Sequence, residues 1–340
     1  MPRITAERIR LLLVQNGVLI ALVLLIALFA ILNPRFISVG NLQTIVLQIA
    51  ELGLIALPVA FLIMQANVDL SVGSVATLSA VVGGLTMVGT GSPVAGIVVG
   101  VAVGACAGLV NGTLVSVLGL NSFVVTLGFM SAWSGLALFL TNGKTVSGLP
   151  SSFTSLGSFA PFGVRIQIIL LVAAIVVAWW VLNHTTRGRE ILAVGGNLRA
   201  SQLMGLRINR IRVSTYVVTG AVAGFVGLLL AAKLGAVSPI VGQGMELDAL
   251  TVVLLGGVAF EGGSGRIRSV LYGLAFVGVL KNGLVILGIS PYIQTILVGL
   301  TLVIAVGLDR GIQQAVARSI ASSARRRQRR YQQELSQTSA

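Results

Sequence analysis

The chain has 340 residues, of which 56% are hydrophobic and 9% charged, with a formal net charge of +14. A soluble domain carries about a quarter of its residues as charges, so this chain has too few to cover a water-facing surface, and its mean hydropathy of +1.00 points to a membrane protein. The basic residues fall between apolar runs rather than in one patch, which argues for membrane orientation and against nucleic-acid binding.

The N-terminus, MPRITAERIR before a long apolar run, resembles a signal sequence. The run is too long for one, and no A-x-A site precedes Asn33-Pro34, so it reads as a retained first helix. Ten apolar spans then follow in order, at 11–32, 42–63, 70–88, 93–117, 122–140, 166–183, 213–232, 246–260, 269–287 and 292–308. Most are long enough to cross ~30 Å of hydrocarbon as helices. The third and eighth are short and are flanked by Asp69 and by Glu246 and Asp248. Alternating ten-residue strands are missing, so the fold class is all-α and polytopic, not a β-barrel.

With the N-terminus inside, the cytoplasmic segments are 1–10, 64–69, 118–121, 184–212, 261–268 and 309–340. They hold eighteen Arg residues, against four basic residues (Arg35, Lys144, Arg165 and Lys233) in the outside segments. This bias, and an even number of spans, place both basic termini in the cytoplasm. The longest outside loop, TNGKTVSGLPSSFTSLGSFAPFGVR, reads equally as a docking surface or a connector. The tail, 311–340, reads as a basic disordered segment attracted to anionic lipid.

Several positions invite a chemical reading. QANVDLSVGS sets Gln65, Asn67, Asp69 and Ser71 between two apolar spans. Asp69 either caps the third helix or lies beside a transport path, because a carboxylate near hydrocarbon is costly. Glu246 and Asp248 at the eighth span allow the same two readings. Glu51, in mid-span, must face other helices, a cavity or water. Gly96, Gly100, Gly104, Gly108 and Gly112 recur every fourth residue, a smooth stripe for close helix packing.

Enzyme chemistry finds little support. The chain has one cysteine, Cys106, and one histidine, His184, so no disulfide, metal site or nucleophile–base pair is expected. TNGKT falls short of a phosphate loop, since Leu138 stands where the motif needs Gly.

The segment from Arg187 to Arg212 carries six arginines. Within it, Asn197 can cap a short helix through LRASQLM, and Gly205 can end it in the left-handed conformation. Ala200, Leu203 and Met204 then share one face. The result is a short amphipathic helix, lying on lipid or docking into a soluble partner.

NGTLVSVLGLNSFVVTL (Asn111 to Leu127) is similar to NGLVILGISPYIQTI (Asn282 to Ile296). One copy joins spans four and five, the other nine and ten. A five-helix offset reverses orientation, so the halves form an inverted repeat with the substrate path between them, a recurrent transporter design.

VDLSVGS, VGGNLRASQLMGL, ELDALTVVLLGG and NGLVILGIS together resemble the permease subunits of ribose-type, simple-sugar ABC importers, over about residues 20 to 310. The resemblance implies an inverted-repeat permease fold at 1–310 that carries a monosaccharide or similar small polyol. It implies a second permease subunit (identical or paralogous), cytoplasmic ATP-binding subunits that hold ATP and Mg, and an extracytoplasmic sugar-binding protein. It also implies a bacterial inner-membrane location, no cofactor on this chain, and ATPase coupling through Gly195, Gly196, Asn197, Ala200, Leu203, Met204 and Gly205 within 184–212. Gly195 and Gly196 would permit a tight turn there. Gln65, Asn67, Asp69, Ser71, Glu246 and Asp248 would border the substrate path. Family members usually have Gly-Ile before DLSVG, where this chain has Asn67-Val68, which leaves the sugar open. The alternative is an ion-coupled secondary transporter using Asp69, Asp248 or Glu51.

Overall fold

The computed structural model describes residues 17–305 and Gly307. The start of the first span and the basic tail lie outside the described residues. The chain is helical, and among the described residues the extended pairing is limited to one antiparallel bridge, Val146 with Val237.

Every one of the ten expected spans corresponds to a helix. They are α1 (Gly17–Leu32), α2 (Val39–Met64), α3 (Val72–Thr90), α4 (Pro93–Ser116) and α5 (Ser122–Thr141), then α7 (Ile166–His184), α10 (Ile208–Leu234), α11 (Met245–Leu255), α12 (Ile267–Ile286) and α13 (Pro291–Ala305). Three further helices do not span: α6 (Ser151–Ser158), α8 (Thr186–Gly196) and α9 (Leu198–Leu203). Seven of the helices are long and apolar enough to cross a membrane. The protein is an all-α polytopic membrane protein.

The burial pattern follows from the solvent. In lipid, an apolar side chain gains little by turning inward, so small residues and polar groups decide which faces meet. α2 and α3 are mostly buried, whereas α5 and α7 expose most of their apolar surface. The centre is α10 packed on α4 and α3. A Cβ at Gly104 would collide with the Gly220 carbonyl, and one at Gly108 with that of Tyr216. Gly100 faces Ser79 and Leu228, and Gly96 faces Gly83 and Met87. The glycine stripe thus meets a second one on α10, at Gly220 and Gly224, so two backbones approach without side chains between them.

The repeat is visible in local geometry. α4 and α12 both end before a glycine at positive φ, Gly119 at +70° and Gly288 at +73°. Thr126 and Thr295 each donate to the carbonyl four residues back, Ser122 and Pro291. Asn111 and Asn282 are both buried, at 0% and 2% exposure, and each hydrogen-bonds to a side chain of an earlier segment, Ser71 and Asn41.

The expected cytoplasmic segments meet at one end. Gly263 donates to the Met64 carbonyl at 2.9 Å. Ala66, Asn67, Gly119, Asn121, Leu198 and Gln202 border one cavity there. At the other end, α6 lies across the end of α10, with Gly157 against the Ala232 carbonyl.

Candidate functional site

Residues 65–71, between α2 and α3, are a short polar segment packed inside the bundle. Gln65, Asn67, Asp69 and Ser71 are buried, at 0%, 4%, 2% and 0% exposure. A buried polar segment needs hydrogen-bond partners, and distant helices supply most of them, leaving the Gln65 Oε1 without one among the described residues. Ser122 accepts from the Val68 amide at 3.3 Å, and Thr126 accepts from the Leu70 amide at 3.1 Å. The Tyr216 hydroxyl donates to the Val68 carbonyl at 3.1 Å. Gln65 donates to Thr215 at 2.8 Å, and Asn67 to the Gln65 carbonyl at 3.3 Å.

Asp69 does not cap the helix directly. α3 begins at Val72, and Asp69 accepts from the Ser71 amide at 2.8 Å and the Ser71 hydroxyl at 2.6 Å. This is an Asx turn placed just ahead of the helix. Asn111 then donates to Ser71 at 2.7 Å, which ties the turn to α4. Burial raises the Asp69 carboxyl above the usual carboxylate range, while hydrogen bonds from Ser71 and Asn111 pull the other way. The Asp69 carboxylate is held within the chain's own network.

Glu246 and Asp248 differ. α11 has 11 residues, which rise only ~16 Å, about half of the hydrocarbon core. A non-helical stretch, 236–244, carries the chain to its start. This stretch packs against the first turns of α3, where the Gly242 amide donates to Thr77 at 2.9 Å. The Glu246 carboxylate sits over Gly73, where a side chain would collide with it. The starts of α3 and α11, one from each half, therefore meet. Both acids lie in the first turn of α11, where the helix dipole favours them. Asp248 pairs with Lys281 on α12. Gln243 and Leu247 are exposed beside them, so this face reaches the surface of the chain.

Glu51 pairs with Lys233, its two oxygens at 2.9 and 3.0 Å from Nζ. The cationic partners of Glu51 and Asp248 lie 182 and 33 residues away in sequence, and sequence reasoning missed both. It also missed Tyr216, Ser122 and Thr215. For Asn111 and Thr126, the internal repeat was the available signal.

The basic segment folds as two short helices, α8 and α9, joined at Asn197 at the end of the bundle that also holds 64–69. Thr185 caps α8, accepting from the Gly188 amide at 3.2 Å. Asn197 caps α9, accepting from the Ala200 amide at 2.9 Å. Gly205 follows at φ +76°. Leu203 and Met204 project at 84% and 67% exposure, while Ser201 turns inward. The two glycines serve packing rather than turning: Gly195 lies within α8, Gly196 ends it, and neither has positive φ. A Cβ at Gly195 would strike the Met64 carbonyl and the Gly263 amide. The two helices are thus packed, backbone against backbone, on the end of α2 and on Gly263.

Comparison with known proteins agrees with this architecture. A family model described as the branched-chain amino acid transport system / permease component matches residues 41–306. The chain is 36% identical over 297 residues to the ribose import permease protein of Bacillus subtilis (strain 168), covering 86% of this chain and 92% of that one. It is 33% identical over 296 residues to the L-arabinose ABC transporter permease protein of Azospirillum brasilense, covering 87% of each. It is 34% identical over 309 residues to the fructose import permease protein of Rhizobium meliloti, covering 88% and 86%. No solved structure matches the chain.

Proposed function

Because the chain belongs to the branched-chain amino acid transport system / permease component family, we propose that it is the membrane permease subunit of an ATP-driven importer for a monosaccharide or similar small polyol. The observation that carries the sugar reading is the similarity, over nearly the full length of both chains, to permeases named for ribose, arabinose and fructose. The protein is a transport subunit of the inner membrane, and ATP hydrolysis belongs to a separate ATPase that holds ATP and Mg.

The helix pair α8–α9 is the point of grip. Two exposed apolar side chains flanked by Arg199 and Arg207 favour a soluble partner with a groove and acidic rim. Leu203 and Met204 enter that groove. The contact of Gly195 with Met64 then carries the motion to the end of α2, and through 65–71 to α3. Both termini are cytoplasmic, and an extracytoplasmic binding protein delivers the sugar at the opposite end. The open face bearing Glu246 and Asp248 borders the substrate path, closed by a second permease subunit. Gln65, Asn67, Asp69 and Ser71 shape that path from behind by holding the start of α3.

The test is transport in proteoliposomes containing the full complex. Uptake of a pentose or hexose that requires ATP and the binding protein supports the reading. Uptake by this chain alone, driven by an ion gradient, overturns it in favour of an ion-coupled carrier.

A further inference from the structure

A second polar cavity, of about 430 Å³, lies between α6, the start of α7 and the end of α10. Its polar lining includes Thr154, Ser158, Arg165, Gln167 and Lys233. We propose that it binds the phosphate-bearing headgroup of a membrane phospholipid.

Charge comes first. Arg165 makes one long hydrogen bond, to the Gly157 carbonyl at 3.4 Å, and forms no ion pair among the described residues. Guanidinium has five donors, so most remain for a ligand. Lys233 is matched by Glu51, and its ammonium retains a further donor. The cavity therefore carries an uncompensated positive charge and a fork suited to phosphate.

Gln167 gives the second, independent observation. It is 1% exposed, and its Nε2 donates to the Gly157 carbonyl at 3.1 Å. Its Oε1 is buried without a partner. Buried acceptors are rarely left so, and Gln167 is one of the residues that line the cavity. A headgroup that combines a phosphate with an ammonium or hydroxyl answers both needs.

The surroundings favour lipid as the source of that phosphate. α7 starts and α10 ends at this cavity, which sets it at the level of the membrane surface. Leu234 on its wall is 61% exposed, and Phe159 and Phe162 nearby are 51% and fully exposed. Phe162 keeps this position at φ +56°, a conformation that non-glycine residues seldom adopt. Apolar groups beside a cationic cavity match a molecule with a charged head and greasy chains.

The full-length chain, purified in detergent and stripped of lipid, is titrated with phosphatidylglycerol and phosphatidylethanolamine, and bound lipid is counted by native mass spectrometry. Diacylglycerol and inorganic phosphate form the other two arms. One tightly held phospholipid is expected, with no retention of diacylglycerol. Arg165→Gln should weaken the first binding step about tenfold, the worth of one charge-assisted contact. Gln167→Leu should weaken it several-fold, and Arg35→Gln should leave it unchanged. Equal binding by wild type and Arg165→Gln overturns the proposal, even if that substitution weakens docking of a binding protein. Displacement of the lipid by millimolar phosphate also overturns it, because the site is then one for a soluble anion. If Arg165→Gln does not fold, equal retention of diacylglycerol and phosphatidylglycerol by the wild type is the overturning result.

Discussion

One methyl group at Gly108 should be enough to separate the two central helices. A Cβ there would lie 2.9 Å from the Tyr216 carbonyl carbon and 3.1 Å from the Val217 Cα. Carbon atoms pack at ~3.5–4.0 Å, so α10 must retreat by about 0.5–1 Å. The neighbours are backbone atoms, which cannot rotate away as a side chain can. Tyr216 moves with them, and its hydroxyl anchors the Val68 carbonyl. Overpacking of this kind costs ~1–3 kcal/mol, offset in part by ~0.5–1 kcal/mol from replacing a helical glycine with alanine. Gly108→Ala should therefore lose up to about 2.5 kcal/mol. Gly128 in α5 is the control, since a Cβ there has no heavy atom within 4 Å. Gly128→Ala should be neutral or stabilising by up to ~1 kcal/mol. The assay is the fraction of detergent-solubilised protein that remains monodisperse after heating. A Gly108→Ala midpoint at or above that of wild type would refute the packing argument.

Tyr216→Phe removes one buried hydrogen bond and should lower the same midpoint, by the equivalent of ~1–2 kcal/mol. Glu51→Ala strands Lys233 and should destabilise, while the double substitution Glu51→Ala/Lys233→Ala should recover part of the loss; strict additivity in this cycle would mean the pair is not coupled. Asn197→Ala removes the α9 cap and should cost ~1 kcal/mol locally, read as faster amide exchange in 198–204 with α10 unchanged. Leu203→Asp/Met204→Asp should leave the isolated chain as stable as wild type, because both side chains are exposed. In the assembled importer it should cut substrate-stimulated ATP hydrolysis and uptake at least about tenfold. Full uptake by that variant would remove these residues from the contact.

The accuracy of sequence reading varied with the range of the interactions involved. The helix from Asn197 to Gly205 was legible to within a residue, because its cap and its stop are local: Asn197 caps it and Gly205 follows at positive φ, while the helix itself ends at Leu203 rather than Met204. The helix before it, α8, was not anticipated. Its residues TRGREILAVGG mix charge, glycine and apolar positions without a clear stripe, and its packing on Met64 and Gly263 fixes it. The glycine stripe on α4 was legible as a surface. Its partner on α10 was not, although Gly220 and Gly224 are also four residues apart. Asp69 stood out as a carboxylate near hydrocarbon, and the structure buries it at 2% exposure. Its actual acceptor role in the Asx turn depended on where α3 begins, which period alone does not resolve.

The sequence by itself determined the class of this protein and the order of its apolar helices. Ten apolar runs and a repeated Asn-Gly motif are one-dimensional signals, and the membrane turns the runs into helices because each backbone group must be satisfied within its own segment. Tertiary structure alone decided the partners. Lys233 for Glu51, Ser122 and Tyr216 for the segment before α3, and Gly73 beneath Glu246 all lie far apart in the chain. Lipid is as apolar as the helix surfaces, so hydrophobicity does not select which faces meet. Shape and buried hydrogen bonds select them, and these exist only once the helices are side by side.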